Sequence, residues 1–122
     1  MVTLNRHERD DRILTELWKG EGVSQINYVQ VTPEGQHCLT HVHHDTTETF
    51  IGLKGVIYVY VNDEMVDISE GSVTVKPGTR HSLVASAGAA YLELRSTVYD
   101  PASPDKHFVY TQDYNPLVGV KA

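Results

Sequence analysis

Two histidines one residue apart are the most informative feature of the sequence. Alternate residues of a β-strand point to the same side, so His41 and His43 would lie next to each other without any long-range contact. Glu48 follows after an interval long enough for the chain to turn and return on a neighbouring strand, which lets its carboxylate approach the same point. A third imidazole, that of His81, opens a later predicted strand directly after the turn signal Pro77-Gly78.

This set of donor atoms favours a divalent transition metal. Three neutral imidazole nitrogens and one carboxylate suit manganese, iron, nickel, copper or zinc. Calcium and magnesium prefer oxygen ligands alone, which this set does not provide. Each residue also has an ordinary interpretation: His41 and His43 as a polar outer strand face, Glu48 as a hairpin carboxylate and His81 as a turn residue. The register of the four together indicates a metal site.

The elements that must position these residues have the pattern of short β-strands. From residue 25 onwards, β-branched and aromatic runs alternate with turn signals about every eight residues, and no long helical period appears. This pattern predicts an all-β sandwich or barrel. Residues 13–18 could be one helical turn or an edge strand, because periodicity does not decide between them. The predicted strands are 25–31, 39–43, 50–53, 56–61, 65–68, 73–75, 81–85 and 90–98.

Length, charge and composition exclude several classes of protein. The 122 residues suffice for one domain, with a barrel core at about 25–98 on which segments 1–22 and 99–122 pack. A net charge of −6 without a basic block argues against nucleic acid as a partner. No apolar run is long enough to span a membrane, and charges occupy the place of a secretion signal. The single cysteine, Cys38, cannot form an internal disulfide, so we expect a cytoplasmic protein.

Two segments of the chain resemble the motifs of the cupin superfamily. The first cupin motif has a glycine, five residues, His-x-His, three or four residues, a glutamate, six residues and a glycine. In residues 35–55 these positions are held by Gly35, His41, His43, Glu48 and Gly55. Residues 71–81 resemble the second motif, which runs from a glycine through a proline and a glycine to a histidine. There the proline and glycine are adjacent, and the asparagine often found four residues after the histidine is Ala85.

This resemblance implies a small single-domain cupin, a jelly-roll-like β-barrel with little helix that is open at one end. It also implies that His41, His43, Glu48 and His81 hold one metal ion. Manganese or iron is favoured, with nickel, zinc and copper as alternatives. Four protein ligands on a six-coordinate metal leave two positions for water, substrate or dioxygen. Small cupins commonly pair, so the resemblance implies a homodimer as well.

Three functions are compatible with such a site. We favour a metal-assisted isomerase or epimerase of a small sugar-like substrate, because residues 11–17 and 99–106 resemble the flanks of cupins of bacterial surface-sugar metabolism. A metal-dependent dioxygenase is the first alternative, since its ligand sets are similar. A non-enzymatic cupin that binds a metal or a small ligand is the second.

Several further residues are candidates for the walls of the site. Phe50 is in phase with Glu48 along its predicted strand, which places it in the cavity. Tyr58, Tyr91 and Glu93 are the candidates for substrate contact and proton transfer, although their facing is not fixed by the sequence. Cys38 is out of phase with His41, which indicates a core or wall residue, and no catalytic residue is assigned.

Overall fold

A computed structural model of the chain describes residues 6–19, 23–100, 102 and 106–108. Within these residues the chain forms strands and turns and no helix, which confirms the all-β prediction. None of the described segments is a helix long and apolar enough to cross a membrane. The strands, numbered in chain order, are β1 (Arg6–Glu8), β2 (Arg12–Lys19), β3 (Gln25–Val31), β4 (Gln36–His43), β5 (Glu48–Lys54), β6 (Ile57–Val61), β7 (Glu64–Asp67), β8 (Ser72–Val75), β9 (His81–Ala85), β10 (Ala90–Arg95) and β11 (Lys106–Phe108).

The strands make two antiparallel sheets. The six-stranded sheet has the order β1-β2-β3-β10-β5-β8, and the five-stranded sheet has the order β11-β4-β9-β6-β7. Residues 13–18, which the sequence left open, belong to β2 and pair with β3. The hairpin between β6 and β7 turns through Asn62 and Asp63, whose φ angles of 49° and 68° are those that a two-residue turn of type I′ requires.

The inward-facing residues change from polar to apolar along the barrel. On β3 the buried amides Gln25 and Asn27 come first, and the buried side chains of Val29 and Val31 follow. On β10, which runs antiparallel to β3, Glu93 lies opposite Asn27 and Arg95 lies opposite Gln25. One end of the barrel therefore holds the hydrophobic core, and the other end gathers polar side chains.

The core draws on both sheets. Ile57 and Val59 on β6 and Ile68 after β7 have no exposed surface, and burial of each side chain stabilises the fold by roughly 1.5 to 3 kcal/mol. The buried members of the core are Val29, Val31, Phe50, Ile57, Val59, Ile68, Val75, Leu83, Ala85, Ala89 and Tyr91. This apolar layer supports the polar end without contributing ligands to it.

The segments on either side of the predicted core are partly described. Before residue 25, β1 and β2 extend the six-stranded sheet beyond β3. After residue 98, Lys106–Phe108 forms β11, which pairs with the site-bearing strand β4. Residues 1–5, 20–22 and most of the predicted tail lie outside the described residues.

Candidate metal centre

The two histidines of β4 face the same cavity. His41 is 4 % exposed and His43 is 3 % exposed, and their Nε2 atoms lie 3.1 Å apart. The Nδ1 of His41 donates a hydrogen bond of 2.7 Å to the carbonyl oxygen of Leu39. A neutral imidazole that donates through Nδ1 carries its lone pair on Nε2, so His41 presents an unprotonated nitrogen to the cavity.

His81 reaches the same point from β9. It stands opposite His41 in the strand register, and its Nδ1 donates to the carbonyl oxygen of Thr79 at 2.9 Å. The backbone N–H of Gly78, whose φ is +78°, donates to the carbonyl oxygen of His43 at 2.8 Å. This bond ties the turn before β9 to the end of β4, which fixes His81 relative to the other two histidines.

Glu48 completes the cluster at the start of β5. Its Oε1 lies 2.8 Å from Nε2 of His43 and 3.0 Å from Nε2 of His81. Its Oε2 accepts a hydrogen bond of 3.3 Å from Nη1 of Arg95. Burial raises the pKa of Glu48, but hydrogen bonds and charge interactions with His43 and His81 outweigh burial and lower the pKa below its ordinary value. The carboxylate is therefore charged at neutral pH.

The donor atoms of these four residues fit a single metal ion. They lie within 4.8 Å of one another, and all four residues are buried. Ligand atoms about 2.1 Å from a metal and at right angles to one another are about 3 Å apart, which matches the separations of 2.8, 3.0 and 3.1 Å. The cluster could therefore hold a metal ion, as the spacing in the sequence predicts.

The cluster borders a cavity of about 520 Å³. Three of the four residues proposed for substrate contact, Phe50, Tyr91 and Glu93, line this cavity. The ring of Phe50 stands between the cluster and Tyr91, with ring centres 6.4 Å from His81 and 6.1 Å from Tyr91. Tyr58 belongs to β6 and is not among the described residues that line the cavity.

Tyr91 is a buried hydrogen-bond donor in the wall of the cavity. Its hydroxyl donates to Oε1 of Gln36 at 2.8 Å, and the side chain is 2 % exposed. Burial, followed by the negative charge of Glu93, raises the pKa of Tyr91 well above its ordinary value. The phenol therefore stays protonated at neutral pH and cannot accept a proton there.

A chain of hydrogen bonds orients Glu93. The backbone N–H of Tyr99 donates to Oε1 of Gln25 at 2.9 Å, and Nε2 of Gln25 donates to Oδ1 of Asn27 at 3.0 Å. Nδ2 of Asn27 then donates to Oε1 of Glu93 at 3.0 Å. The backbone N–H of Tyr99 can only donate, which fixes the orientation of the Gln25 and Asn27 amides. Glu93 therefore accepts a hydrogen bond from Asn27.

The sequence interpretation missed several polar residues of the cavity. The cavity is also lined by polar residues that the sequence did not indicate: Arg12, Gln25, Asn27, Gln36 and Arg95. The sequence pattern that could have indicated them is the alternation of polar residues at the start of β3 and at the end of β10.

Cys38 lies closer to the cluster than strict alternation predicts. The pairing of β4 with β9 shifts register between Cys38 and His41, as at a β-bulge. This irregularity brings both side chains to the cavity, with the Cys38 sulfur 3.7 Å from Nδ1 of His41. Cys38 is therefore a wall residue of the site.

Two facing antiparallel sheets around a cavity with a buried cluster of three histidines and a glutamate are the features expected of a metal-binding cupin. The family model described as the cupin domain matches residues 27–96, more than half of the chain, so the chain belongs to the cupin family. A comparison with curated protein sequences gives no match.

Solved structures share this fold at low sequence identity. The capsular polysaccharide assembling protein CapF from Staphylococcus aureus has a TM-score of 0.75 at 21 % identity, over 91 % of this chain and 33 % of CapF. Streptomyces Pac13 with uridine has a TM-score of 0.68 at 18 % identity, over 88 % of this chain and 85 % of Pac13, which is described as a nucleoside dehydratase. KdgF from Halomonas sp. has a TM-score of 0.68 at 16 % identity, over 81 % of this chain and 91 % of KdgF. The chain spans about a third of CapF.

Proposed function

We propose that the chain is a metal-dependent enzyme that isomerises or epimerises a small sugar-like molecule. The observation that carries the proposal is that Glu93 lines the same cavity as the buried cluster. A divalent metal held by the cluster, with manganese or iron favoured, would polarise a carbonyl or hydroxyl group of the substrate. Such a reaction also needs a proton acceptor beside the polarised group, which the Glu93 carboxylate supplies.

The residues around Glu93 suit a reversible proton transfer. In an isomerisation its carboxylate takes a proton from the hydroxyl-bearing carbon next to a substrate carbonyl and returns it to the carbonyl carbon, while the proton of that hydroxyl moves to the carbonyl oxygen. In an epimerisation the proton returns to the opposite face of the same carbon. The two transfers together leave the atoms and the charge of the substrate unchanged, as isomerisation requires. The hydrogen bond from Asn27 holds the carboxylate in place during both transfers.

The polar wall and the related structures support a sugar-like substrate. Side-chain amides of Gln25, Asn27 and Gln36 line the cavity and offer the donors and acceptors that hydroxyl groups pair with. CapF is a capsular polysaccharide assembling protein, and Pac13 is a nucleoside dehydratase whose structure has been solved with uridine. Both descriptions concern molecules that contain sugars.

Deuterium exchange tests the proposal. The manganese-loaded or iron-loaded protein is incubated anaerobically in D₂O with aldoses, ketoses, their phosphates and uronic acids, and proton NMR follows each sugar. We expect one class to lose the proton next to its carbonyl while product signals appear. Glu93→Gln should slow this exchange at least about 100-fold with metal content retained. Glu34→Gln, the same change at an exposed turn position, should leave the rate unchanged.

Other outcomes would favour the two alternatives. Oxygen uptake by the iron-loaded protein with diols, thiols or diketones, without anaerobic exchange, would identify a dioxygenase. Stoichiometric metal with neither exchange nor oxygen uptake would identify a binding protein. Either outcome would overturn the isomerase proposal.

We also expect the chain to form a homodimer. β1 stands at one end of the strand order in the six-stranded sheet, and edge strands are common sites of pairing between copies. Sedimentation equilibrium should give twice the chain mass of 13.6 kDa, and a mass near 13.6 kDa would contradict the dimer.

A further inference from the structure

The two oxygens of the Glu48 carboxylate have different partners. Oε1 lies 2.8 Å from Nε2 of His43 and 3.0 Å from Nε2 of His81. Oε2 accepts a hydrogen bond of 3.3 Å from Nη1 of Arg95, which is the hydrogen-bond donor to this oxygen among the described residues. Glu48 is 3 % exposed, so solvent has little access to either oxygen. Only one oxygen of the carboxylate is therefore directed at the histidines.

Arg95 is held beside Glu48 from several sides. It stands opposite Glu48 in the pairing of β10 with β5, and it is 6 % exposed. Its Nε donates to the carbonyl oxygen of Thr97 at 3.4 Å, and its guanidinium carbon lies 5.9 Å from the ring centre of Tyr99. A guanidinium has donors and no acceptor, so Arg95 can pair with Oε2 but cannot bind the metal itself.

The number of ligating oxygens decides how much of the metal is left for a substrate. A glutamate can bind a metal through one oxygen or through both. On a six-coordinate ion such as manganese, three imidazoles and one carboxylate oxygen leave two positions, whereas three imidazoles and both oxygens leave one. The substrate of the proposed isomerisation carries a carbonyl oxygen and a neighbouring hydroxyl oxygen, and two open positions would accept both.

We propose that Arg95 is a positioning residue that holds Glu48 as a one-oxygen ligand and so keeps a second coordination position open for the substrate. Arg95 acts through Glu48 and does not bind the ion. A buried carboxylate oxygen that loses its donor is costly, so without Arg95 the metal becomes the partner of Oε2. The inference rests on the metal centre of the proposed function and does not depend on the reaction.

A count of the water ligands tests this role. Manganese-loaded protein is studied by electron paramagnetic resonance in ¹⁷O-enriched water, where each exchangeable water ligand broadens the manganese lines. We expect two such waters in the wild-type protein and one in Arg95→Met, with one equivalent of manganese retained in both. Methionine fills the space of the arginine without supplying a donor. One water in the wild-type protein, or two in Arg95→Met, would overturn the inference.

Two further variants assign the cause. Arg12→Met removes another arginine from the cavity wall, one that pairs with Asp11 at 2.7 Å, and should keep both waters. In Arg95→Met/Glu48→Gln, at saturating manganese, the amide can bind only through its oxygen, so the second water should return. Loss of a water in Arg12→Met, or a single water in the manganese-bound double variant, would refute the role assigned to Arg95.

This inference and the proposed function fail in different ways. Two waters, one of them lost in Arg95→Met, without deuterium exchange on any sugar would reject the isomerase and leave the role of Arg95 intact. Deuterium exchange together with a single water in the wild-type protein would reject the role of Arg95 and leave the isomerase intact. The count in the wild-type protein can overturn the inference even if Arg95→Met does not fold.

Discussion

His41 and His81 are oriented by the same local hydrogen bond. In each histidine, Nδ1 donates to the backbone carbonyl two residues earlier, that of Leu39 or Thr79. In the neutral imidazole this bond leaves the lone pair on Nε2, the nitrogen that faces the cluster. Because each bond lies within a single segment of chain, both nitrogens are directed independently of which metal enters.

Removal of a single imidazole should abolish metal binding. We expect His43→Ala and His81→Ala each to lose metal affinity by at least about 100-fold, because three donors remain and the vacated space admits water. The barrel should stay folded, since the hydrophobic core lies at its other end. Elemental analysis after dialysis measures the metal, and circular dichroism measures the fold.

His44 provides the matched control for this experiment. It adjoins His43 in the chain but is exposed, so His44→Ala should keep one equivalent of metal. Stoichiometric metal in the double variant His43→Ala/His81→Ala would refute the ligand assignment.

The ligands could be predicted from the sequence, and most of the residues around them could not. His41, His43 and Glu48 lie within eight residues of one another, so strand alternation and one return of the chain bring them together. Arg95 reaches Glu48 only because β10 pairs with β5, and no local pattern shows which strands become neighbours. Alternation also shows which residues share a face without showing which face is inward.

At the scale of the strand, the irregular segment of β4 decides which of its side chains face the cavity, and the periodicity of the sequence does not predict this. The register with β9 shifts between Cys38 and His41, so the faces exchange within one strand. The sequence predicted the strand from residue 39, whereas the structure begins it at Gln36, before the irregularity. A bulge depends on the pairing with the partner strand. The sequence therefore predicts that β4 exists, but not which way the side chains in its first half point.

Gly52 packs so closely against the backbone of Ile68 that one added methyl group should destabilise the fold. Gly52 lies on β5, and a Cβ atom there would be 1.9 Å from the carbonyl oxygen of Ile68. Backbone at this position must move to accept alanine, so Gly52→Ala should lower the free energy of unfolding by about 3 kcal/mol. Urea denaturation measures the change. Because β5 begins with Glu48, metal affinity should also fall.

Gly71 is the control for this substitution. It lies in the turn that follows Ile68, and its backbone carbonyl accepts the N–H of Gly52, but an added Cβ would meet no atom within 4 Å. Gly71→Ala should therefore change stability by no more than about 0.5 kcal/mol. Equal losses in the two variants would show that glycine flexibility, rather than the contact with Ile68, limits this strand.

In the molecule as a whole, the residues of the hydrophobic core and the four residues of the metal cluster are different sets. The hydrophobic core fills one end of the barrel and reaches the cavity through Phe50, Leu83 and Tyr91, while the metal ligands and the charged residues lie at the other end. The polar end can therefore hold a cation without disturbing the core.

Metal binding should stabilise the whole barrel, and acid should remove that gain. A ligand that binds only the folded state at 1,000 times its dissociation constant contributes about 4 kcal/mol, which raises the midpoint of thermal unfolding by roughly 10 to 20 °C. Protons compete with the metal for the imidazole nitrogens, so the increment should shrink between about pH 7.5 and pH 5.5. Differential scanning calorimetry with and without manganese measures it at both values. His81→Ala should show no increment at either pH, and a rise in midpoint equal to that of the wild-type protein would place the stabilising ion elsewhere in the molecule.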